Sequence, residues 1–176
     1  MVRGKLVFIA GGVRSGKTSF AEDYLMNEEA LRNVYVASGV AVDEEMKQRI
    51  ERHRQDRAGY PVEWVTIEQP RQIEQLPSSI KKGDAILWDC VTTWLANELF
   101  TADMEKVEKQ LLATLEELLS QVKVLVIVSN EVLDEPLSEY EGVLLYQKWI
   151  GHIHQRLVAM ADEAYEMEYG LVQRWK

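Results

Sequence analysis

The segment GGVRSGKT at residues 11–18 constrains the fold of this chain more than any other, because it fits the spacing G-x-x-x-x-G-K-[ST]. An apolar, strand-like segment at residues 5–10 precedes it, and TSFAEDYLM at residues 18–26 is typical of a helix. In a strand, loop and helix of this kind, backbone N–H groups turn inward on an anion, and the helix N-terminus adds partial positive charge. We therefore predict a phosphate-binding loop (P-loop). A glycine-rich turn without a ligand is the alternative.

The residue types of the loop predict a nucleoside triphosphate, ATP or GTP, as the ligand. Lys17 is expected to reach the terminal phosphates, and the Thr18 hydroxyl is expected to bind Mg²⁺. The predicted nucleotide-binding residues of the loop are Gly11, Gly12, Val13, Arg14, Ser15, Gly16, Lys17 and Thr18.

Asp89 is the candidate for the second magnesium ligand. P-loop sites usually hold the cation with an acid at the end of another buried strand, and Asp89 closes the apolar segment AILWD. Burying a carboxylate after four apolar residues is otherwise costly. The alternative is an N-cap, because a helix is expected to begin in CVTTWLANELF.

The rest of the chain alternates short apolar runs with amphipathic stretches, which predicts an α/β fold with a mostly parallel sheet. Several runs are apolar throughout, so we expect helices on both faces of the sheet. The tail EAYEMEYGLVQRWK is expected to form a hairpin bent at Gly170 that closes one edge of the sheet. The other predicted strands are residues 34–38, 62–67, 85–90 and 122–130, and the predicted buried helical stripes are Val107, Leu111, Leu115, Leu118 and Val122, then Leu145, Trp149, Ile153 and Leu157.

Length and composition limit the possible classes of protein. A chain of 176 residues is expected to form a single domain, 1–176. A net charge of −9 argues against binding to a nucleic acid backbone, and the single Cys90 excludes an internal disulfide framework. Met1 leads into a strand-like segment, and no apolar run approaches the roughly 20 residues of a membrane span. We therefore expect a cytoplasmic protein without a membrane span.

The segment VDEEMKQRIERHRQDR at residues 42–57 is one that a simple P-loop kinase does not require. Met46, Ile50, His53 and Arg57 follow at spacings of four, three and four, which places His53 at the edge of an inward-looking helix face. Taken alone, such a histidine is more often a packing or hydrogen-bonding residue than a catalyst. Four arginines lie on the same helix: Arg49, Arg52, Arg54 and Arg57. Taken alone, they indicate a solvated helix face on which arginines pair with glutamates.

Taken together, these segments resemble a known enzyme family. The matching pieces are GGVRSGKTSFAE, VYVASGVAVDEEMKQRIERHRQDR, WVTIEQP, ILWDCVTTWLAN, VSNEV and ADEA. In this order they are similar to the bifunctional cobinamide kinase and cobinamide-phosphate guanylyltransferase family of cobalamin biosynthesis, over most of the first 132 residues.

The resemblance implies two reactions at one nucleotide site. A nucleoside triphosphate phosphorylates the hydroxyl of the aminopropanol arm of adenosylcobinamide, and GTP then donates GMP to that phosphate. In the family the second step passes through a guanylyl-histidine, and the matching histidine is His53. Imidazole suits this role, because it is a good nucleophile at neutral pH and a good leaving group once protonated. Three arginines on the same helix are expected to stabilise phosphate charge: Arg49, Arg54 and Arg57.

The resemblance also implies a RecA-like sheet with one antiparallel edge strand, and a homo-oligomer that is typically a trimer. It adds Glu68, Asn130 and Glu131 to the nucleotide-binding residues. Asn130 and Glu131 follow the last long apolar strand, at the sheet edge where ligands bind in parallel sheets. Strand termination and capping is the alternative for this pair.

The sequence departs from the family pattern after Val132. The family continues with G-x-G-I-V-P and R-x-F-R-D-x-x-G-x-x-N-Q, where this chain keeps only Gly151 and Gln155, with Lys148 and His154 at the aspartate and asparagine. Two other functions therefore remain open: a simple small-molecule kinase, and a nucleotide-binding paralogue without activity. The pair His152 and His154 does not predict a metal site, because residues two apart point to different sides of a helix.

Overall fold

Strands and helices alternate along the chain in the computed structural model, which describes residues 2–39, 44–101, 103–131 and 140–176. The strands are β1 (Lys5–Gly11), β2 (Asn33–Ala37), β3 (Trp64–Glu68), β4 (Ala85–Asp89), β5 (Val124–Asn130), β6 (Glu163–Glu168) and β7 (Leu171–Arg174). The helices are α1 (Lys17–Met26), α2 (Glu44–Ala58), α3 (Val91–Glu98), α4 (Met104–Gln121) and α5 (Glu141–Met160), and a short 3-10 helix covers Ile73–Ser79.

The described strands form one sheet in the order β3-β2-β4-β5-β1-β6-β7. All neighbouring strands are parallel except β6 and β7, which are antiparallel. Tyr169 and Gly170 join this last pair, with positive φ angles of 50° and 76°, as a two-residue hairpin turn requires. The predicted α/β fold, with its antiparallel edge strand and its bend at Gly170, is confirmed.

Successive residues of the central strands pack on opposite faces of the sheet. In β1, Leu6 and Phe8 join the core that α3, α4 and α5 cover, whereas Val7 and Ile9 join the core that α1 covers. Both faces of the sheet are therefore buried from solvent. This is why the strand sequences are continuously apolar and do not alternate between apolar and polar residues. The prediction that helices cover both faces is confirmed.

The buried face of helix α5 differs from the predicted stripe at one position. Ile153 and Leu157 are fully buried and Trp149 packs at the edge of the core, but Leu145 is 40% exposed. At 3.6 residues per turn, a run of spacings of four drifts around the helix, so that Leu145 is rotated by about 120° from Leu157. The buried face at this end of the helix contains Gln147 and Ile150 instead.

Within the described residues, no helix is both long enough and apolar enough to cross a membrane.

Candidate functional site

The predicted phosphate-binding loop connects β1 to α1 at the carboxyl edge of the sheet. Two residues of the loop have positive φ angles, Arg14 at 60° and Gly16 at 91°, and the N–H of Ser15 donates to the Gly12 carbonyl at 3.2 Å. Lys17 is buried, and its Nζ donates to the Gly12 carbonyl at 2.9 Å. The lysine ammonium is thus folded back over the loop, next to the amides that would surround an anion.

The loop itself leaves one polar group without a partner. The Ser15 hydroxyl is buried and bonds to no group of the described chain. Val13 and Arg14, by contrast, lie at the exposed tip of the loop. A buried hydroxyl without a partner is costly, and an oxygen-rich anion in the loop would satisfy it.

A contact that the sequence did not predict joins the loop to the β6–β7 hairpin. The N–H of Gly170 donates to the Ser15 carbonyl at 3.0 Å. A Cβ at Gly11 would lie 2.6 Å from the Met167 carbonyl oxygen, so only glycine fits where the loop leaves β1. No local signal reveals this contact, because the two segments lie at opposite ends of the described chain.

Asp89 lies beside the start of α1. Its Oδ2 is 3.5 Å from Thr18 Oγ1 and accepts a hydrogen bond from the Tyr35 hydroxyl at 2.6 Å. The N-cap of α3 is Cys90, not Asp89, and no side chain caps that helix. The geometry therefore favours the cation reading of Asp89 over the N-cap reading.

The donor set fits Mg²⁺, which prefers oxygen ligands and keeps several waters. Thr18 and Asp89 offer a hydroxyl and a carboxylate close together, and the phosphates would supply further oxygens. The described residues contain no group of three or more His, Cys, Asp or Glu side chains arranged to hold a metal. A cation at this edge would thus be bound together with the nucleotide rather than by the protein alone.

Asn130 and Glu131 lie where β5 ends beside the loop. The backbone N–H and Nδ2 of Asn130 both lie 3.3 Å from Thr92 Oγ1, which ties β5 to α3. The N–H of Glu131 donates to the Gly11 carbonyl at 2.8 Å and so continues the strand pairing to the start of the loop. Both residues are therefore next to the loop, and both also have the structural role that the alternative reading gave them.

Glu68 ends β3, two strands away from Asp89 in the sheet order. Its side chain is exposed, with Oε1 3.7 Å from Arg54 Nη2. An exposed pair at this distance stabilises little on its own. Glu68 therefore lies at the same sheet edge as the loop but not in contact with it.

The arginines of α2 have different environments. Arg57 is 3% exposed; its Nη1 lies 3.3 Å from Glu22 Oε1, and its guanidinium carbon lies 3.8 Å above the Tyr35 ring. Arg52 and Arg54 are exposed, as a solvated helix face requires. The side chain of Arg49 lies outside the described residues, and Arg57 is already used in a buried ion pair. Arg57 is therefore held by Glu22 and Tyr35, and its contact with phosphate stays a prediction.

His53 belongs to α2, one turn before Arg57, and its side chain lies outside the described residues. Sequence reasoning missed Glu22 and Tyr35, two of the residues that Arg57 contacts. The sequence contains one signal for this buried ion pair: Glu22 stands next to Ala21 and near Leu25, on the apolar face of α1.

The divergent C-terminal third contains a buried histidine with a structural role. His154 Nε2 lies 2.6 Å from Ser129 Oγ, and its ring packs 5.3 Å from the Phe8 ring. Burial lowers the pKa of His154 to about 4. His152 instead lies on the exposed side, 2.9 Å from Glu108, so the two histidines point to different partners, as expected.

Comparison with known protein families gives a match over nearly the whole chain. The model of the family described as "Cobinamide kinase / cobinamide phosphate guanyltransferase" matches residues 7–174. The matched region includes the loop, α2 and the C-terminal third, in which the sequence departs from the expected pattern.

Two bacterial relatives are similar over nearly their full length. The "Bifunctional adenosylcobalamin biosynthesis protein CobU" of Salmonella typhimurium is 30% identical over 180 residues, which covers 94% of this chain and 97% of that protein. The protein of the same name from Escherichia coli is 28% identical with the same coverage. The "Bifunctional adenosylcobalamin biosynthesis protein CobP" of Pseudomonas aeruginosa is 39% identical over 124 residues, or 70% of this chain and 69% of that protein.

Two solved structures share the fold of this chain. An ATPase from the type III secretion system of pathogenic bacteria superposes with a TM-score of 0.61 at 11% identity, over 98% of this chain and 57% of that one. The RadB recombinase superposes with a TM-score of 0.51 at 14% identity, over 94% of this chain and 74% of that one. At such identities the likeness concerns the fold alone, and that fold is RecA-like.

Proposed function

The chain belongs to the cobinamide kinase / cobinamide phosphate guanyltransferase family, and from this membership we propose that a single nucleotide site carries out both reactions in this protein. In the first, the hydroxyl of the aminopropanol arm of adenosylcobinamide takes the γ-phosphoryl group of ATP or GTP. In the second, GMP passes from GTP to that new phosphate, giving adenosylcobinamide-GDP.

The second reaction proceeds in two displacements at the α-phosphorus of GTP. An imidazole nitrogen of His53 forms a P–N bond while the bond to the β-phosphate oxygen breaks, and pyrophosphate leaves. A phosphate oxygen of the acceptor then displaces the imidazole, which breaks the P–N bond and regenerates His53. The intermediate divides one difficult transfer into two easier ones.

The observation that carries the proposal is the arrangement at the carboxyl edge of the sheet. Lys17 and the Asp89–Thr18 pair meet there, and α2 is attached to α1 at the same site through the buried pair of Arg57 and Glu22. Position 53 is one helical turn from that attachment. A nucleophile on α2 and a triphosphate in the loop thus belong to one region of the molecule.

We assign the site residues as follows. Lys17 and the loop amides bind the phosphates, Thr18 and Asp89 bind Mg²⁺, and His53 is the nucleophile. When bound, Mg²⁺ neutralises phosphate charge and orients the phosphates. The further nucleotide-binding residues are Gly11, Gly12, Val13, Arg14, Ser15, Gly16, Glu68, Asn130 and Glu131.

The test is covalent labelling with GTP that carries the label on its α-phosphate, in the presence of Mg²⁺. We expect an acid-labile adduct in the wild-type protein and none in His53→Ala. His152→Ala is the matched control, since His152 is an exposed helix histidine paired with Glu108, and it should label like the wild type.

Other outcomes identify the other two functions. If no adduct forms but label from the γ-phosphate reaches cobinamide, the protein is a kinase only. Nucleotide binding without either transfer means a paralogue without activity.

We also propose that the protein is a homo-oligomer, a trimer as the family resemblance implies, and that it acts in the cytoplasm. Exposed apolar side chains near the start of α5 support the oligomer. Phe100 is 74% exposed and lies against Gly142, and the next three helix residues, Val143, Leu144 and Leu145, are 40% to 47% exposed. Several exposed apolar side chains in one region are typical of a contact between protein chains.

A further inference from the structure

A chain of buried contacts runs from α2 to the predicted magnesium ligand. It begins at the Glu22–Arg57 ion pair, continues through the Tyr35 ring beneath the Arg57 guanidinium, and ends at Asp89, whose Oδ2 accepts a hydrogen bond from the Tyr35 hydroxyl at 2.6 Å. Glu22, Arg57 and Tyr35 are each less than 10% exposed. Because these groups are buried and in contact, none can move far without disturbing the next.

We propose that Tyr35 and Arg57 are positioning residues, which fix the Asp89 carboxylate for the cation and couple it to the helix that carries His53. This inference rests on the proposed function, because Asp89 and His53 have their roles only there. Neither Tyr35 nor Arg57 belongs to the loop. Both act through Asp89 and α2.

Tyr35 fixes the carboxylate through one short hydrogen bond. Its hydroxyl contacts Oδ2 of Asp89, the same oxygen that lies 3.5 Å from Thr18 Oγ1, so Oδ1 is not used by the phenol. The phenol is thus the donor in this bond, and it holds the carboxylate oxygen that faces Thr18.

Arg57 fixes both the ring and the helix. Its planar guanidinium stacks on Tyr35 and is held by Glu22, so that α2 is attached at once to α1 and to β2. Loss of the Glu22 charge would take away the ion-pair partner of the buried Arg57 guanidinium, which is strongly destabilising. The orientation of α2, and with it the position of residue 53, depends on this attachment.

Tyr35→Phe tests the first link, because it keeps the ring beneath Arg57 and removes only the hydroxyl. The probe is Mn²⁺ in place of Mg²⁺, with a non-hydrolysable GTP analogue, and the readout is the Mn²⁺ dissociation constant from electron paramagnetic resonance. We expect it to rise about tenfold, as for loss of one hydrogen bond to a charged group. Tyr24→Phe is the matched control, since the Tyr24 hydroxyl bonds to Glu163 rather than to Asp89, and should leave the constant unchanged.

Arg57→Lys tests the second link, because it keeps the charge beside Glu22 but loses the planar stacking on Tyr35. We expect weaker Mn²⁺ binding in the wild-type background, by about threefold, and little further change in the Tyr35→Phe background, because both changes act through the same phenol. Arg57→Lys should also slow formation of the guanylyl adduct. The matched control is Arg32→Lys, whose guanidinium pairs with Asp84 at the opposite edge of the sheet.

The proposal is overturned if Tyr35→Phe binds Mn²⁺ as tightly as the wild type, or if the two substitutions weaken binding independently. Should Tyr35→Phe not fold, Arg57→Lys alone must still weaken Mn²⁺ binding relative to Arg32→Lys. Failure of the proposed function is a separate result: the wild-type protein would then form no adduct and transfer no phosphate, whatever its Mn²⁺ affinity.

Discussion

His154 is a buried imidazole that joins α5 to β5 through Ser129 and packs against Phe8. It occupies a position where the family pattern has asparagine. With its pKa lowered to about 4, it is neutral in the folded protein throughout the neutral range. His154 thus forms a polar link between helix and sheet and is a group that titrates on unfolding.

This difference in pKa predicts a loss of stability in acid. The unfolded chain binds a proton at His154 near pH 6.5, whereas the folded chain does so only near pH 4. The contribution of neutral His154 to the free energy of unfolding is therefore complete above pH 6.5. It is lost as the pH falls towards 4, and the total loss is about 3 kcal/mol. Urea unfolding of His154→Gln between pH 4 and 7 should show a flatter pH dependence of the free energy of unfolding than the wild type. Parallel curves for the two proteins would contradict the assignment.

Single residues could be predicted from the sequence where their spacing is fixed by covalent geometry. Gly16, Lys17 and Thr18 follow from one local motif, and Asp89 follows from its place after an apolar strand. Tyr35 and Glu22 could not be predicted, because their roles depend on how α2 packs against α1 and β2. Spacing along α2 placed Arg57 inward but did not reveal that its partner is a glutamate of another helix.

At the scale of elements, the strands and the hairpin could be predicted because β-branched runs and a turn glycine determine them locally. What could not be predicted is where the hairpin packs. Residues of β6 and the turn after it lie against the phosphate loop, with Gly170 bonded to Ser15 and Met167 against Gly11. The buried stripe of α5 was predicted correctly near its end but not at Leu145, because small errors of period accumulate along a helix.

This packing predicts that Gly11→Ala is destabilising. The added methyl group would meet the Met167 carbonyl oxygen at 2.6 Å, and a backbone atom in a paired strand cannot move aside cheaply. We expect a loss of about 2 kcal/mol or more in the free energy of unfolding, measured by chemical denaturation. Gly12→Ala is the control for stability, because a Cβ there meets nothing within 4 Å. Equal stability of the two variants would contradict the close approach of hairpin and loop.

At the scale of the whole molecule, the exposed apolar group around Phe100 and Leu144 predicts association. We expect light scattering after gel filtration to give about three times the 20.3 kDa mass of the chain. The double substitution Phe100→Glu and Leu144→Glu should give monomers, because it places charges in an apolar contact. Leu31→Glu, at a residue 94% exposed in the loop before β2, is the control that should stay assembled. A wild-type monomer, or an unchanged mass in the double variant, would contradict this prediction.

The contact between the hairpin and the loop also has a consequence for the order of synthesis. The loop at residues 11–18 is translated well before Met167, which packs against Gly11, and before Gly170, whose amide bonds to Ser15. A nascent chain therefore contains the loop motif before it contains these two contacts, and the loop acquires them only once the β6–β7 hairpin has been translated and has folded back beside β1.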